Sequence, residues 1–574
     1  MNLDFRNTNA LWCSVAAETL WQAGVRHAVI SPGSRNTPLT LALVAHPGIA
    51  TNPVLDERSA AFFGLGIAKR TRAPVVLLCT SGSAGAHYLP ALIEARESGA
   101  PLIAITADRP PEMRDCASGQ TIDQQKLFGS FVGFYHELAV PEPKVDMLRY
   151  LRQTLRHAVA RALADGPVHL NAPFRDPLPP LPDGTATALA ETVDWSAFFQ
   201  VPDALIPELG ATLDLPAAFL ESRGIVIAGG GWDDGAMPRA FGAALGWPVL
   251  ADTLSGARFV ASDGETIVAA YDAILRNSHA ATVLRPEVVL VFGELPTSKV
   301  LRSWLTNLAA PTLHFSALAG NRDGVHGRTR SVHTTPTKVK IPLVNPVAFA
   351  PDWKRRWSQA EAAAQVVLGG VEQNEPRFEG AFTRALSRTL ERGQTLFVSS
   401  SMPVRDLEYF TPVRPTGPRI MANRGANGID GILSTALGVA QDGEPVVLLT
   451  GDLALLHDTN GFLTASRLVG SLTIVLINNA GGGIFGHLPI AKFNPPFEEY
   501  WATPQTVDFA RLADAYGVAY ELVGNPTELS ARLRAQVGEP GVRVIEVRTD
   551  RTQDVVIRQK VFAASAEAAG RSLA

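Results

Sequence analysis

Short runs of β-branched and aliphatic residues alternate along the chain with longer Ala- and Leu-rich stretches of helical spacing. Ala28–Ser31, Val75–Cys79, Leu102–Thr106, Gly224–Ala228, Val288–Phe292, Val446–Thr450 and Thr473–Ile477 are apolar at nearly every position. A strand that is apolar on both faces is covered on both faces. Such strands alternating with helices predict parallel sheets with helices on either side. Two breaks interrupt the rhythm. Asn171–Asp183 (NAPFRDPLPPLPD) is proline-rich and predicts a linker rather than a helix or a central strand. A second break falls at Ile341–Asp352 (IPLVNPVAFAPD). Together they predict three α/β domains, residues 1–182, 183–350 and 351–574, each a doubly wound parallel sheet.

The first and third segments carry one unit twice. LGIA at Leu65–Ala68 precedes PVVLL at Pro74–Leu78 and then Gly99; LGVA at Leu437–Ala440 precedes PVVLL at Pro445–Leu449 and then Gly470. Proline and glycine stand 25 residues apart in both copies, and the second copy follows the first by 371 positions. PVVLL is also a common string for any buried strand, so the spacing carries the inference of duplication. Ligands of open α/β sheets sit beyond the carboxyl ends of the strands. Two copies with different strand-end residues can therefore divide one task between them.

Composition narrows the class. The chain has 574 residues, 46% hydrophobic and 18% charged, enough for several buried cores and too apolar for dominant disorder. Its 51 basic and 55 acidic side chains leave a formal charge of −4 with no Lys/Arg run, which argues against a nucleic-acid or polybasic membrane binder. No apolar stretch approaches the ~18 residues that span a bilayer. The start, MNLDFRNTNALW, lacks the basic and apolar regions of a signal peptide. Cys13, Cys79 and Cys116 form no CxxC pair, and an odd count suits reduced thiols. The expectation is a cytoplasmic enzyme.

The densest candidate chemistry follows the Val446–Thr450 run. Gly451-Asp452 is followed 27 residues later by Asn479, in the pair Asn478-Asn479, and then by Gly481-Gly482-Gly483. Carboxylate, amide and backbone carbonyl oxygens are hard ligands suited to an octahedral Mg²⁺ that also takes phosphate oxygens. Glycines beside them let backbone approach a diphosphate. The same dipeptides also serve as ordinary turn and capping residues.

This spacing resembles the signature of the thiamine-diphosphate-dependent enzymes, although Leu453 stands where many members have a third glycine. The resemblance implies that Asp452, Asn479 and the Gly481 carbonyl hold Mg²⁺ (or Mn²⁺), which anchors the diphosphate. It also implies a pyrimidine-binding first domain and a diphosphate-binding third domain of one duplicated fold. Thiamine chemistry needs a carboxyl group at the pyrimidine N1′. Glu57, in the string Asp56-Glu57-Arg58 after a strand, matches the family's acid; Asp56 beside it would serve equally as a first-turn acid favoured by the helix dipole.

Longer strings narrow the resemblance. SPGSRNTPL (Ser31–Leu39), TADRPPE (Thr106–Glu112), QTIDQ (Gln120–Gln124), ANRGANGIDG (Ala422–Gly431) and NNAGGGIFGHLP (Asn478–Pro489) are similar to the family of 2-succinyl-5-enolpyruvyl-6-hydroxy-3-cyclohexene-1-carboxylate synthases. That family belongs to menaquinone biosynthesis and transfers an aldehyde residue from 2-oxoglutarate, with loss of CO₂, to isochorismate. Both substrates carry two carboxylates, for which guanidinium forks are suited. The resemblance assigns Arg35, Arg405 and Arg424 to that task, with Ser34, Gln120, Ser401 and Lys299 as further polar contacts. It makes Ile429 the apolar support of the cofactor, and Ile484, Phe485 and Leu488 an apolar wall. It also implies a homodimer or homotetramer. The chain departs from the pattern at Gly119, where the family commonly has Asn, at Val300, where some members have Arg, and at His87, where many have Asn. Arg302 is not carried over, and His457 and His487 are read as structural. Other readings are a thiamine-dependent decarboxylase or acetolactate-synthase-like enzyme, and a regulatory protein cradling a nucleotide on Gly229–Gly231 or Gly481–Gly486.

Overall fold

The computed structural model of the chain describes residues 3–200, 215, 217–232, 235–259, 265–339, 350–493 and 496–574. The chain divides into two compact units, one of residues 1–207, 423–443 and 457–469, the other of residues 208–422, 444–456 and 470–574.

The first unit is built on a six-stranded parallel sheet. Its strands are β1 (His27–Ile30), β2 (Ala50–Pro53), β3 (Val75–Cys79), β4 (Leu102–Asp108), β5 (Phe134–Glu137) and β6 (Val168–Pro173), in the order β2-β1-β3-β4-β6-β5. Every residue of β3 and of β4 is buried, as expected where helices cover both faces. In this unit, helix Glu57–Thr71 packs closely on helix Ile432–Ala440, and the glycines of the repeated LGIA and LGVA strings make that approach possible. A Cβ on Gly66 would stand 2.1 Å from the Thr435 carbonyl oxygen, and one on Gly438 would stand 1.9 Å from that of Phe63. The repeated glycine is thus a packing feature.

The second unit contains two sheets. The middle one comprises β7 (Gly224–Ala228), β8 (Val249–Ala251), β9 (Ile267–Val268), β10 (Val288–Phe292), β11 (Pro311–Ser316) and β12 (Arg328–His333), ordered β12-β11-β10-β7-β8-β9. Read from its other edge, this is the 3-2-1-4-5-6 doubly wound order. The last sheet comprises β13 (Thr395–Val398), β14 (Arg419–Ala422), β15 (Val446–Gly451), β16 (Ser471–Asn478), β17 (Ala519–Val523) and β18 (Gly541–Arg548), ordered β14-β13-β15-β16-β18-β17. It repeats the first sheet strand for strand. The two PVVLL strings are β3 and β15, and Gly99 and Gly470 precede β4 and β16. The pairing differs by one residue, because Val75 faces Leu102 whereas Val446 faces Leu472.

Within the second unit, Arg258 ties the middle sheet to the last. Fully buried, it donates to the carbonyls of Ala251, Ala269, Glu408 and Thr411 and to the Glu408 carboxylate at 2.7 Å.

One expectation needs correction. Asn171, Ala172 and Pro173 end β6, a strand flanked by β4 and β5, so the irregular segment starts only at Phe174. Asn171 fits there because Thr106, Gln124 and Asp108 satisfy its buried amide, and proline is tolerated at a strand's last residue. Of the second break, residues 341–349 lie outside the described residues; Pro351 and Asp352 belong to helix Ala350–Gly369.

Candidate active site

The nominated residues cluster at the carboxyl ends of strands. In the second unit, β15 pairs with β16 so that Gly451 faces Ile477, and Asp452 and Asn479 leave adjacent strands just beyond. Asp452 is buried; its Oδ1 accepts the N–H of Leu453 at 2.8 Å and its Oδ2 accepts that of Gly481 at 2.7 Å. Only the backbone of Leu453 is used, so replacing the family's glycine there leaves the donor set intact. Burial raises the Asp452 carboxyl to about 6, with the nearby Glu379 adding to the effect and the backbone N–H groups opposing it.

Gly481 adopts φ +132°, and a Cβ there would stand 2.4 Å from the Ala502 carbonyl oxygen, so the loop needs glycine. Asn479 donates Nδ2 to Glu379 at 3.2 Å, while its Oδ1 is buried without a hydrogen-bond partner. Among the described residues there is no cluster of three His, Cys, Asp or Glu side chains that could hold a metal. A set of one carboxylate, one amide and one carbonyl lies outside that pattern. An orphaned buried oxygen and a buried carboxylate at the ends of paired strands are what a divalent cation would relieve. The residues fit a hard divalent cation such as Mg²⁺.

The rest of the nominated set in this unit follows three strands: Ser401 and Arg405 come after β13, Ile484, Phe485 and Leu488 after β16, and Lys299 after β10 of the middle sheet. Ser401, at φ +72°, leads into helix Met402–Phe410, and Arg405 on its first turns donates to the Ser401 carbonyl at 2.6 Å. Burial lowers the Arg405 pKa. Ile484, Phe485 and Leu488 lie in the loop after β16, all three half-buried. His487 accepts from Arg558 through Nε2 at 2.8 Å, and burial, with Arg558 adding, lowers it to about 4, so the structure uses it as a neutral packing partner. Lys299 is exposed and begins helix Lys299–Leu308. Arg302 donates to the carbonyls of Pro296 and Leu295 at 2.8 Å each, which accounts for it structurally.

In the first unit, Asp56 and Glu57 separate cleanly. Asp56 is the N-cap of helix Glu57–Thr71, accepting from Arg58 at 2.8 Å and Ser59 at 3.2 Å. Glu57 is the first helical residue, half-buried, and its charge is felt by two buried groups. Burial, with Glu57 contributing, raises the Cys79 thiol to about 12 and pushes Tyr88 well above its ordinary range.

Arg35, after β1, is buried and donates to the Phe174 carbonyl at 3.0 Å. Gln120, at φ +57°, donates to the Ser81 carbonyl at 3.1 Å. Ser34 is exposed beside Arg35. At Gly119 a Cβ would meet nothing within 4 Å, so packing does not require the departure from the family's Asn. Arg424 and Ile429 are half-buried in a loop held by Glu94, which accepts the N–H groups of Gly425 at 3.0 Å and Ala426 at 2.7 Å.

Sequence reasoning missed Arg109. It donates to the Ser81 hydroxyl and to the Gln120 carbonyl at 2.7 Å, and burial together with the neighbouring Arg35 lowers its pKa. Asp176, 3.5 Å from Arg35, is the carboxylate nearest that guanidinium. The signal was present in TADRPPE, whose arginine follows a strand end.

Glycine clusters at the middle sheet do not cradle phosphate. A Cβ on Gly229 would stand 1.6 Å from the Glu294 carbonyl oxygen, Gly229 donates to Phe292 at 2.8 Å, and the Gly230 carbonyl accepts from Glu294 at 2.8 Å. The crevice between β7 and β10 is closed by backbone.

Comparison with known proteins agrees with this fold. Residues 14–127, 211–398 and 407–547 match profiles described as the N-terminal TPP binding domain of thiamine pyrophosphate enzymes, the middle domain of thiamine pyrophosphate, and the C-terminal TPP binding domain of those enzymes. The fold and the site thus define a thiamine-pyrophosphate enzyme. Benzoylformate decarboxylase from Polynucleobacter necessarius shares the fold, with a TM-score of 0.65 over 94% of this chain and 98% of that one at 16% identity. Proteins named 2-succinyl-5-enolpyruvyl-6-hydroxy-3-cyclohexene-1-carboxylate synthase are far closer in sequence. That of Synechococcus elongatus is 46% identical over 98% of this chain and 97% of its own, and that of Microcystis aeruginosa is 45% identical over 96% and 98%. The chain belongs to the family of these synthases.

Proposed function

We propose that this enzyme decarboxylates 2-oxoglutarate and joins the remaining four-carbon unit to isochorismate, giving the product for which its relatives are named, within menaquinone biosynthesis. The observation that carries the cofactor part of the reading is the buried, unpartnered Oδ1 of Asn479, on the strand end next to that of Asp452. Thiamine diphosphate, when bound, supplies a carbon nucleophile and an electron sink. Asp452, Asn479 and the Gly481 carbonyl hold the Mg²⁺ or Mn²⁺ that fixes its diphosphate. Glu57 holds a proton at the pyrimidine nitrogen. Ile429, Ile484 and Phe485 shape the cofactor's apolar surroundings, and Leu488 extends that wall toward the substrate.

The chain's cations orient two dianions against each other. Arg35 and Arg109 form one pair with Ser34 and Gln120 beside them; Arg405, Ser401, Arg424 and Lys299 supply the rest. Guanidiniums already partly desolvated bind a carboxylate more strongly than exposed ones. No helix among the described residues is long and apolar enough to cross a membrane. We place the enzyme in the cytoplasm as a homodimer or homotetramer, with domains at 1–182, 183–350 and 351–574.

The test supplies the protein with thiamine diphosphate, Mg²⁺, 2-oxoglutarate and isochorismate and follows the adduct by mass spectrometry. Formation of the adduct supports the reading. CO₂ release from pyruvate in preference to 2-oxoglutarate would assign the chain instead to small 2-oxo acids.

A further inference from the structure

A primary amide has one donating and one accepting end of nearly identical shape, so the neighbours decide which end faces a ligand. Asn479 would reach a cation only with Oδ1 forward. Its Nδ2 donates to Glu379 Oε2 at 3.2 Å, and the room for that nitrogen exists because residue 483 is glycine, where a Cβ would stand 2.8 Å from it. Glu379 lies 100 positions before Asn479 and is 3% exposed. Its other oxygen, Oε1, accepts from Arg558, and its backbone N–H donates to Asp554 at 3.2 Å. Arg558 is in turn held by Asp406, through Nε to Oδ1 at 3.0 Å and Nη2 to Oδ2 at 2.9 Å.

We propose that Glu379, gripped by Arg558, is a positioning residue that sets the Asn479 amide with its oxygen toward the cation. The inference rests on the metal-site reading above. Arginine can only donate, so the oxygen of Glu379 that faces it must accept. The remaining oxygen also accepts, which leaves Asn479 one orientation. A glutamine at 379 cannot meet both demands. Its oxygen must face Arg558, so its NH₂ faces Asn479, and the amide of Asn479 turns over to accept, presenting Nδ2 to the cation.

Exchanging the two functional groups tests this pairing. In Glu379→Gln, affinity for Mn²⁺, titrated into the full-length protein with saturating thiamine diphosphate and followed by electron paramagnetic resonance, should fall at least about tenfold, the scale of lost outer-shell support. Adding Asn479→Asp should restore it to within about threefold, because the new carboxylate accepts from the NH₂ of the new glutamine and turns its other oxygen to the metal. Melting curves of the metal-free proteins control for folding. An E379Q affinity equal to wild type, or an E379Q/N479D affinity no better than E379Q, overturns the positioning role. Should E379Q be insoluble, the double variant is compared with Asn479→Asp alone, where two carboxylates face each other, and tighter Mn²⁺ binding by the double is required. Asp452→Ala separates the two layers of inference. Unchanged Mn²⁺ affinity there removes the metal-site reading itself; a loss there with none in E379Q removes only the role of Glu379.

Discussion

The carboxylate of Asp452 accepts the backbone N–H of Gly481 at 2.7 Å, tying the end of one strand to the loop that leaves its neighbour. Two of the three proposed metal donors are therefore mutually positioned before any cation arrives. Such preorganisation lowers the ordering cost of binding.

Removing Asp452 should weaken metal and cofactor together. Asp452→Ala loses a charged donor and the tie to Gly481, so both affinities should drop by at least the roughly 10- to 100-fold that outer-shell changes cost. Calorimetric titration of thiamine diphosphate at several Mg²⁺ concentrations reads both, and raised Mg²⁺ should recover part of the activity. Cofactor binding unchanged from wild type would sink the proposed clamp.

Glu57→Gln keeps the shape of the helix start, since Asp56 provides the cap. It removes the acid, so exchange of the cofactor's C2 proton should slow by roughly 10²- to 10⁴-fold, the range of general acid–base contributions, with an unchanged melting temperature. Exchange at the wild-type rate in the mutant would assign activation to another group.

Arg405→Ala and Arg424→Ala should leave thiamine binding nearly intact and impair use of the dianionic substrates. A lost charge-assisted contact costs roughly 1.5–3 kcal/mol, or about 10- to 150-fold in kcat/KM. Varying 2-oxoglutarate and isochorismate in turn at saturating cofactor assigns each arginine to its substrate. Wild-type constants for both substrates in both mutants would make these arginines bystanders.

A pH-dependent stability term is built in at Asp458. Fully buried, it accepts from the Ser434 N–H at 2.7 Å and hydroxyl at 3.0 Å, yet burial raises its carboxyl from 3.8 to about 6. The folded state then holds the proton more tightly than the unfolded one. Its contribution is fully present below the unfolded value and is lost as pH rises through about 6. Between pH 7.5 and pH 5 this group should add about 1 kcal/mol to wild-type stability. Asp458→Asn mimics the protonated form permanently, so the advantage of the mutant in melting temperature should be larger at pH 7.5 than at pH 5. A pH-independent difference would show that Asp458 is ionised throughout.

The sequence alone determined the features whose physics is local. A doubly covered strand must be apolar throughout, so Val75–Cys79, Val446–Thr450 and their partners announced the parallel sheets, and the spacing from PVVLL to glycine announced the duplication that the strand orders repeat. Asp452 and Asn479 were readable as candidates because polar residues at strand ends come as short motifs. Other choices belonged to the fold. Backbone geometry at one helix start made Asp56 the cap and Glu57 the first helical residue, a distinction that composition left open. Close crossing of two helices explained the glycine in LGIA and LGVA, a contact with no sequence signature on either side. Asn171 sits in a strand because three buried polar neighbours satisfy it, although the prolines after it signalled a linker. Glu379 and Arg558 stand 179 positions apart on unremarkable helical stretches. A charge can be buried only where partners from elsewhere in the chain surround it, and that condition exists only once the chain has folded.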